Sequence, residues 1–208
     1  MSVADNYFEK LYRSSEDPWS FRERWYEQRK RNLTLAVLPR SHYGSIFEPG
    51  CANGELSARL AERCTQLLCS DTSAIALELA RNRLAHRSNV RLLQTRLPQQ
   101  WPQGRFDLIV LSELCYYLDE QDLDRLIESA RAALNPGGNL LACHWRWPID
   151  ECPLSGDEVH RRLHERLGLP RLLRHEDADL LLEVWATDAT SVAQREGLAP
   201  DTSLEPPA

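Results

Sequence analysis

The sequence predicts an α/β fold on one mostly parallel seven-stranded sheet, with helices on both faces and a C-terminal antiparallel hairpin. Three observations lead there. Short apolar runs alternate with segments of helical spacing from Ser45 to His144, and each return to a parallel strand needs a helix crossing over the sheet. A glycine-bearing turn, Gly50-Cys51-Ala52-Asn53-Gly54, joins the first strand to the first crossover helix. Two later apolar runs flank Asp177-Ala178-Asp179, a separation that suits a hairpin.

Residues 1–40 read as helical, broken at Asp17-Pro18 and ended near Pro39, and form a candidate lid segment. The first strand falls at Ser45 to Glu48, and Leu56, Leu60 and Ala61 mark a helix over Glu55 to Cys64. A strand at Gln66 to Ser70, a helix at Ser73 to Ala85 and a strand at Val90 to Thr95 repeat the unit. The very apolar Phe106 to Ser112 is the fourth strand. A helix at Gln121 to Leu134, the turn Asn135-Pro136-Gly137-Gly138 and a strand at Asn139 to His144 follow. Beyond Pro148, Ser155 to Leu167 reads as a helix, and Arg171 to His175 with Leu180 to Thr187 as the hairpin. Residues 41–198 make one domain, and 199–208, with three prolines, a disordered tail.

At 208 residues the chain is long enough for one full core. Its 42% hydrophobic and 27% charged residues are those of a soluble globular protein. No apolar run approaches the roughly 20 residues needed to span a bilayer, and the start lacks the pattern of a secretory signal. The expectation is a cytoplasmic protein with no membrane partner. A net charge of −6 argues against an electrostatic grip on nucleic acid. One local exception is the basic cluster Arg22, Arg24, Arg29, Lys30 and Arg31, interleaved with aromatic residues. The six cysteines include no C-x-x-C pair, so they read as reduced structural residues, and no metal site is expected.

The turn after the first strand lies where open α/β sheets bind ligands. Gly50 and Gly54 leave backbone open to close approach. A dinucleotide site would show G-x-G-x-x-G for its pyrophosphate; here Glu48 stands two positions before the first glycine, where it repels phosphate and suits an ammonium. Asp71 ends the next strand, 17 residues after Gly54. A carboxylate there accepts from both ribose hydroxyls, or it caps the following helix. Turn and carboxylate together favour binding.

With Glu48-Pro49-Gly50-Cys51-Ala52-Asn53-Gly54, Asp71, Phe106 to Glu113 and Leu134-Asn135-Pro136-Gly137-Gly138, residues 40–190 resemble the class I S-adenosylmethionine-dependent methyltransferases, a Rossmann-like family. The resemblance implies S-adenosylmethionine as cofactor and S-adenosylhomocysteine as product. It places the methionine end at Glu48, Gly50, Cys51, Asn53 and Gly54, the ribose at Asp71 with Thr72, and the adenine at Thr95, Arg96 and Leu97, with Ser112 beside the cofactor. The family often has glycine at Ala52 and an acid near Thr95 or Arg96, so this chain departs from it twice. Asp17-Pro18-Trp19, Tyr26 to Arg31 and Leu111 to Leu118 resemble the nodulation S type of N-methyltransferase, which implies an amine of an amino sugar or oligosaccharide as acceptor.

In that frame Trp19 and Tyr26 shield the sulfonium from water and Arg29 forks onto the methionine carboxylate. The competing reading is a solvated basic helix face. Around the ends of strands four and five, Tyr116, Tyr117, Trp145, Arg146 and Trp147 form the acceptor side, with Glu113, Tyr117 and His144 as candidate bases. His144 is equally readable as a satisfied core histidine. The remaining alternatives are O-methylation of a small molecule, a nicotinamide oxidoreductase on the same topology, and a non-catalytic cofactor-binding module.

Overall fold

The computed structural model describes residues 1–4 and 6–200, so most of the expected tail lies outside the described residues. Two helices lead in, α1 (Asn6–Ser14) and α2 (Trp25–Ala36), separated by the Asp17-Pro18 break. The strands are β1 (Tyr43–Pro49), β2 (Cys64–Asp71), β3 (Val90–Gln94), β4 (Phe106–Ser112), β5 (Leu134–Trp145), β6 (Arg171–Glu176) and β7 (Leu180–Ala186). Helices α3 (Glu55–Leu60), α4 (Ala74–Arg83), α5 (Glu120–Ala132), α6 (Gly156–Leu167) and the short α7 (Val192–Arg195) complete the chain.

The seven strands form one sheet in the order β3-β2-β1-β4-β5-β7-β6. The first five strands pair in parallel, and β7 pairs antiparallel with both β5 and β6. Side chains at Ile46 and Phe47 and over Leu108 to Leu111 alternate between two apolar layers. Phe47, Ile109 and Leu111 face α5 residues Leu123, Leu126 and Ile127, while Ile46, Leu108 and Val110 face the opposite layer. Because successive residues of a strand point to opposite faces, a strand buried on both sides reads as the continuous apolar run seen at Phe106 to Ser112. Each fully buried side chain of this kind contributes roughly 1.5–3 kcal/mol.

Two elements differ from the sequence reading. The first crossover helix ends at Leu60, tightens into a 3-10 turn at Ala61–Arg63, and β2 starts at Cys64. Asn135-Pro136-Gly137-Gly138 is not a separate turn but the irregular start of β5, where the register slips opposite Phe106 and Leu108. A Cβ at Gly138 would sit 2.8 Å from the Asn135 carbonyl oxygen and 3.1 Å from that of Phe106. The glycine is there for close packing of backbone. All six cysteines are free, and five are buried. No helix among the described residues is long and apolar enough to cross a membrane.

The order of strand connection reverses between the parallel neighbours β1 and β4, one leading left to β2 and the other right to β5. Their carboxyl ends open a crevice at this switch point.

Candidate active site

The turn leaving β1 is built on left-handed backbone: φ is +69° at Gly50, +52° at Ala52 and +83° at Gly54. Ala52 accommodates its Cβ at a cost of about 1–2 kcal/mol, and its amide N–H donates to Asp71 Oδ2 at 3.0 Å. Asp71 Oδ1 accepts from the Ser73 amide at 2.9 Å. The helix cap is Ser73, whose hydroxyl accepts from the Ala76 amide; Asp71 therefore ties the end of β2 to the glycine turn instead of capping α4. Burial raises the Asp71 pKa against these amide bonds, which lower it.

One pocket fills the crevice. Glu48, Gly50, Cys51, Asn53, Asp71, Thr72, Thr95, Arg96, Leu97, Ser112, Glu113 and Tyr117 line it, together with Trp19. Glu48 is 3% exposed, with Cys69 Sγ 3.5 Å from its Oε2, and burial pushes its carboxyl up to about 7.

The lead-in segment roofs this pocket with residues the sequence reading did not select, among them Phe8, Tyr12, Phe21, Glu27, Lys30 and Arg31. Tyr12 packs edge-on against Trp19 at 5.8 Å, and Trp19 meets Phe21 at 5.4 Å. Asp17 caps the Phe21 and Arg22 amides and accepts from Asn53 Nδ2 at 3.3 Å, and Arg22 pairs with Glu55 at the start of α3.

Glu113 sits just past β4 with φ +54°, a conformation costly for a residue with a Cβ. Its Oε2 accepts from the Tyr116 hydroxyl. Its Oε1 lies 3.3 Å from Lys30 Nζ, an ion pair without hydrogen-bond alignment. Lys30 is 4% exposed, also pairs with Glu27 at 2.9 Å, and lies over the Tyr26 and Phe21 rings. Burial lowers the Lys30 pKa, but Glu113 and Glu27 outweigh it and the net shift is upward. The ammonium stays charged between two carboxylates.

Several predicted residues stand elsewhere. Arg29 pairs with Asp177 in the β6–β7 turn at 2.7 Å, away from the pocket lining. On α2 the inward face carries Glu27, Lys30 and Thr34, at the three- and four-residue spacing of one helix side; Arg29 is turned about 100° from Lys30. Tyr26 packs on Trp145 at 4.9 Å, behind the pocket wall. Gly54 serves helix packing, since its Cβ would meet Ala80 Cα at 3.2 Å. Trp145, Arg146 and Trp147 do not line the pocket, and Trp147 is 55% exposed, with its indole N–H on Asp179.

The geometry removes His144 as a candidate base, and Tyr117 stands in an environment that disfavours its phenolate. His144 is fully buried, accepts from the Cys115 amide through Nε2 and faces His160 through Nδ1, and burial holds its pKa well below the ordinary value. Tyr117 does line the pocket, but burial drives its phenol far upward and its ring is packed against Phe8 and Tyr116. Of the three, Glu113 and Tyr117 line the pocket, and Glu113 is the carboxylate. Among the described residues no cluster of three or more His, Cys, Asp or Glu is arranged to hold a metal.

A family profile described as a methyltransferase domain matches residues 47–140. Nodulation protein S of Sinorhizobium fredii is 29% identical over 65% of this chain, and the match spans 65% of that relative, just under two thirds of its length. The N-methyltransferase NodS of Bradyrhizobium japonicum, solved with S-adenosylhomocysteine, is 25% identical, superposes with a TM-score of 0.77, and is matched over 87% of this chain and 98% of its own. A crystal structure from Pseudomonas syringae, provisionally described as a methyltransferase, is 61% identical with a TM-score of 0.71 over 78% of this chain and 99% of its own. The seven-stranded sheet agrees with those likenesses, and the chain belongs to the S-adenosylmethionine-dependent methyltransferases.

Proposed function

We propose that this chain transfers the methyl group of S-adenosylmethionine to the nitrogen of a small polar acceptor, of the amino-sugar or oligosaccharide type. The observation that carries the reading is Glu113, a carboxylate fixed by Lys30 and Tyr116 in an aromatic-walled pocket.

The pocket suits the cofactor. Asn53 Oδ1, Thr95 Oγ1 and the Tyr12 hydroxyl are buried there without a protein partner, and buried polar atoms are ordinarily satisfied. Glu48 would accept from the ammonium and Asp71 from the ribose hydroxyls. Arg31, which lines the pocket where Arg29 does not, suits the carboxylate. Thr95, Arg96 and Leu97 would flank the adenine. When bound, S-adenosylmethionine supplies an electrophilic methyl group on a sulfonium.

A nitrogen acceptor gains positive charge as it is methylated and then sheds a proton. Glu113 offsets the charge and takes that proton. Lys30, shared with Glu27, fixes where the carboxylate points, while Tyr12, Trp19 and Phe21 keep water out. A polyanionic acceptor is disfavoured by the acidic chain. The homologous nodulation proteins support an amine.

Glucosamine oligomers, free amines, phenols and tRNA offered in parallel test this. Transfer to an amine is expected, and transfer only to a hydroxyl or to nucleic acid overturns the reading. With an amine acceptor, Glu113→Gln should lower turnover by about 100-fold while S-adenosylhomocysteine affinity changes little.

The same reading makes residues 1–40 a lid, held shut by the Asp17–Asn53 and Arg22–Glu55 contacts. Hydrogen exchange across residues 12–32 should slow when S-adenosylhomocysteine is added. Unchanged exchange would return this segment to a fixed surface element.

A further inference from the structure

Behind the pocket wall a line of buried polar groups crosses the molecule. The Cys115 amide donates to His144 Nε2 at 3.2 Å, His144 Nδ1 lies 3.1 Å from His160 Nε2, and His160 Nδ1 lies 2.7 Å from Glu183 Oε2. The four groups come from the loop after β4, from β5, from α6 and from β7. His144, His160 and Glu183 are each no more than 1% exposed. Gly156 lets α6 come close enough, since a Cβ there would overlap the Trp145 carbonyl and crowd His144 Cβ at 3.2 Å.

Chemistry permits one proton arrangement along this line. A backbone N–H only donates, so His144 Nε2 must be bare and its proton must sit on Nδ1. His160 Nε2 then has to accept, which puts the His160 proton on Nδ1, facing a carboxylate that only accepts. Both rings are neutral. Burial lowers both imidazole pKa values, and Glu183 is kept ionised by His160, Arg171 and Arg174 against its own burial.

We propose that His144, His160 and Glu183 are positioning residues whose single proton arrangement anchors the Cys115 amide and so holds loop 113–117 against the pocket. Loop 113–117 needs such an anchor. It carries Glu113 at φ +54° and the Tyr116 hydroxyl that donates to it, and strained backbone persists only where its surroundings over-determine it. The consequence for methyl transfer rests on the reading above, but the test below reads the relay whether or not an amine is the acceptor.

Imidazole ¹⁵N shifts of the full chain at pH 7 should place the proton on Nδ1 in both His144 and His160. Free histidine favours the other nitrogen, so a proton on Nε2 of His144 overturns the proposal without any variant. Glu183→Leu removes the terminal acceptor, two imidazole rings away from the Cys115 amide, and should speed exchange of that amide about tenfold, equivalent to about 1.4 kcal/mol. Glu183→Gln keeps an acceptor oxygen for His160 and should restore native exchange. Equal Cys115 exchange in the native and Glu183→Leu proteins, or no rescue by Gln, also overturns it.

Discussion

Asp71→Ala is expected to cut affinity for S-adenosylhomocysteine by about one to two decades, the equivalent of losing one charged hydrogen bond of roughly 1.5–3 kcal/mol. The same carboxylate accepts from the Ala52 and Ser73 amides, so the ligand-free protein should also melt at a lower temperature. Asp71→Asn keeps one acceptor oxygen and should fall between. Calorimetric titration separates the effects, because the binding loss is read on whatever fraction is folded. Equal affinity in native and Ala proteins would reduce Asp71 to a brace for the glycine turn.

The second large effect is proton-linked. Burial raises Glu48 from 4.5 to about 7. An acid raised in the folded state stabilises the fold fully only below its unfolded pKa, so this contribution disappears as pH climbs from about 4.5 to 7, at a total cost of about 3 kcal/mol. A ligand ammonium beside Glu48 favours the ionised form. S-adenosylhomocysteine binding between pH 6 and 7 should therefore release a proton, detected by titration in buffers of different ionisation enthalpy. Glu48→Gln should abolish that release and raise ligand-free stability at pH 8. Proton release unaltered in the Gln variant would assign it to another group.

What was legible in the sequence was local. Strand runs, crossover helices and the hairpin each declare themselves within a few residues, and the glycine turn with Asp71 falls at strand ends that the topology brings together. The Asn135 to Gly138 stretch misled because turn chemistry also serves an irregular strand start. The Glu27-Lys30-Glu113 contacts left no trace, because they join α2 to a loop beyond β4 and because the inward face of α2 is polar. Apolar periodicity could not orient such a helix, and the guanidinium assignment landed on Arg29, with Arg31 two positions on. His144 was ambiguous for the same reason: its partner His160 is fixed by the packing of α6.

The lead-in segment makes contacts from the start of α3 to the β6–β7 turn. Ser2 reaches Asp119 and Asp122, Glu9 accepts from the Ala74 amide, and Arg29 pairs with Asp177 beyond the last crossover helix. This segment leaves the ribosome before its partners, which do not all exist until the β6–β7 hairpin has been made. Closing such long chain loops early is entropically costly, so docking of residues 1–40 is expected to follow formation of the sheet they roof. The roof of the crevice is made ahead of its walls and can close only after them.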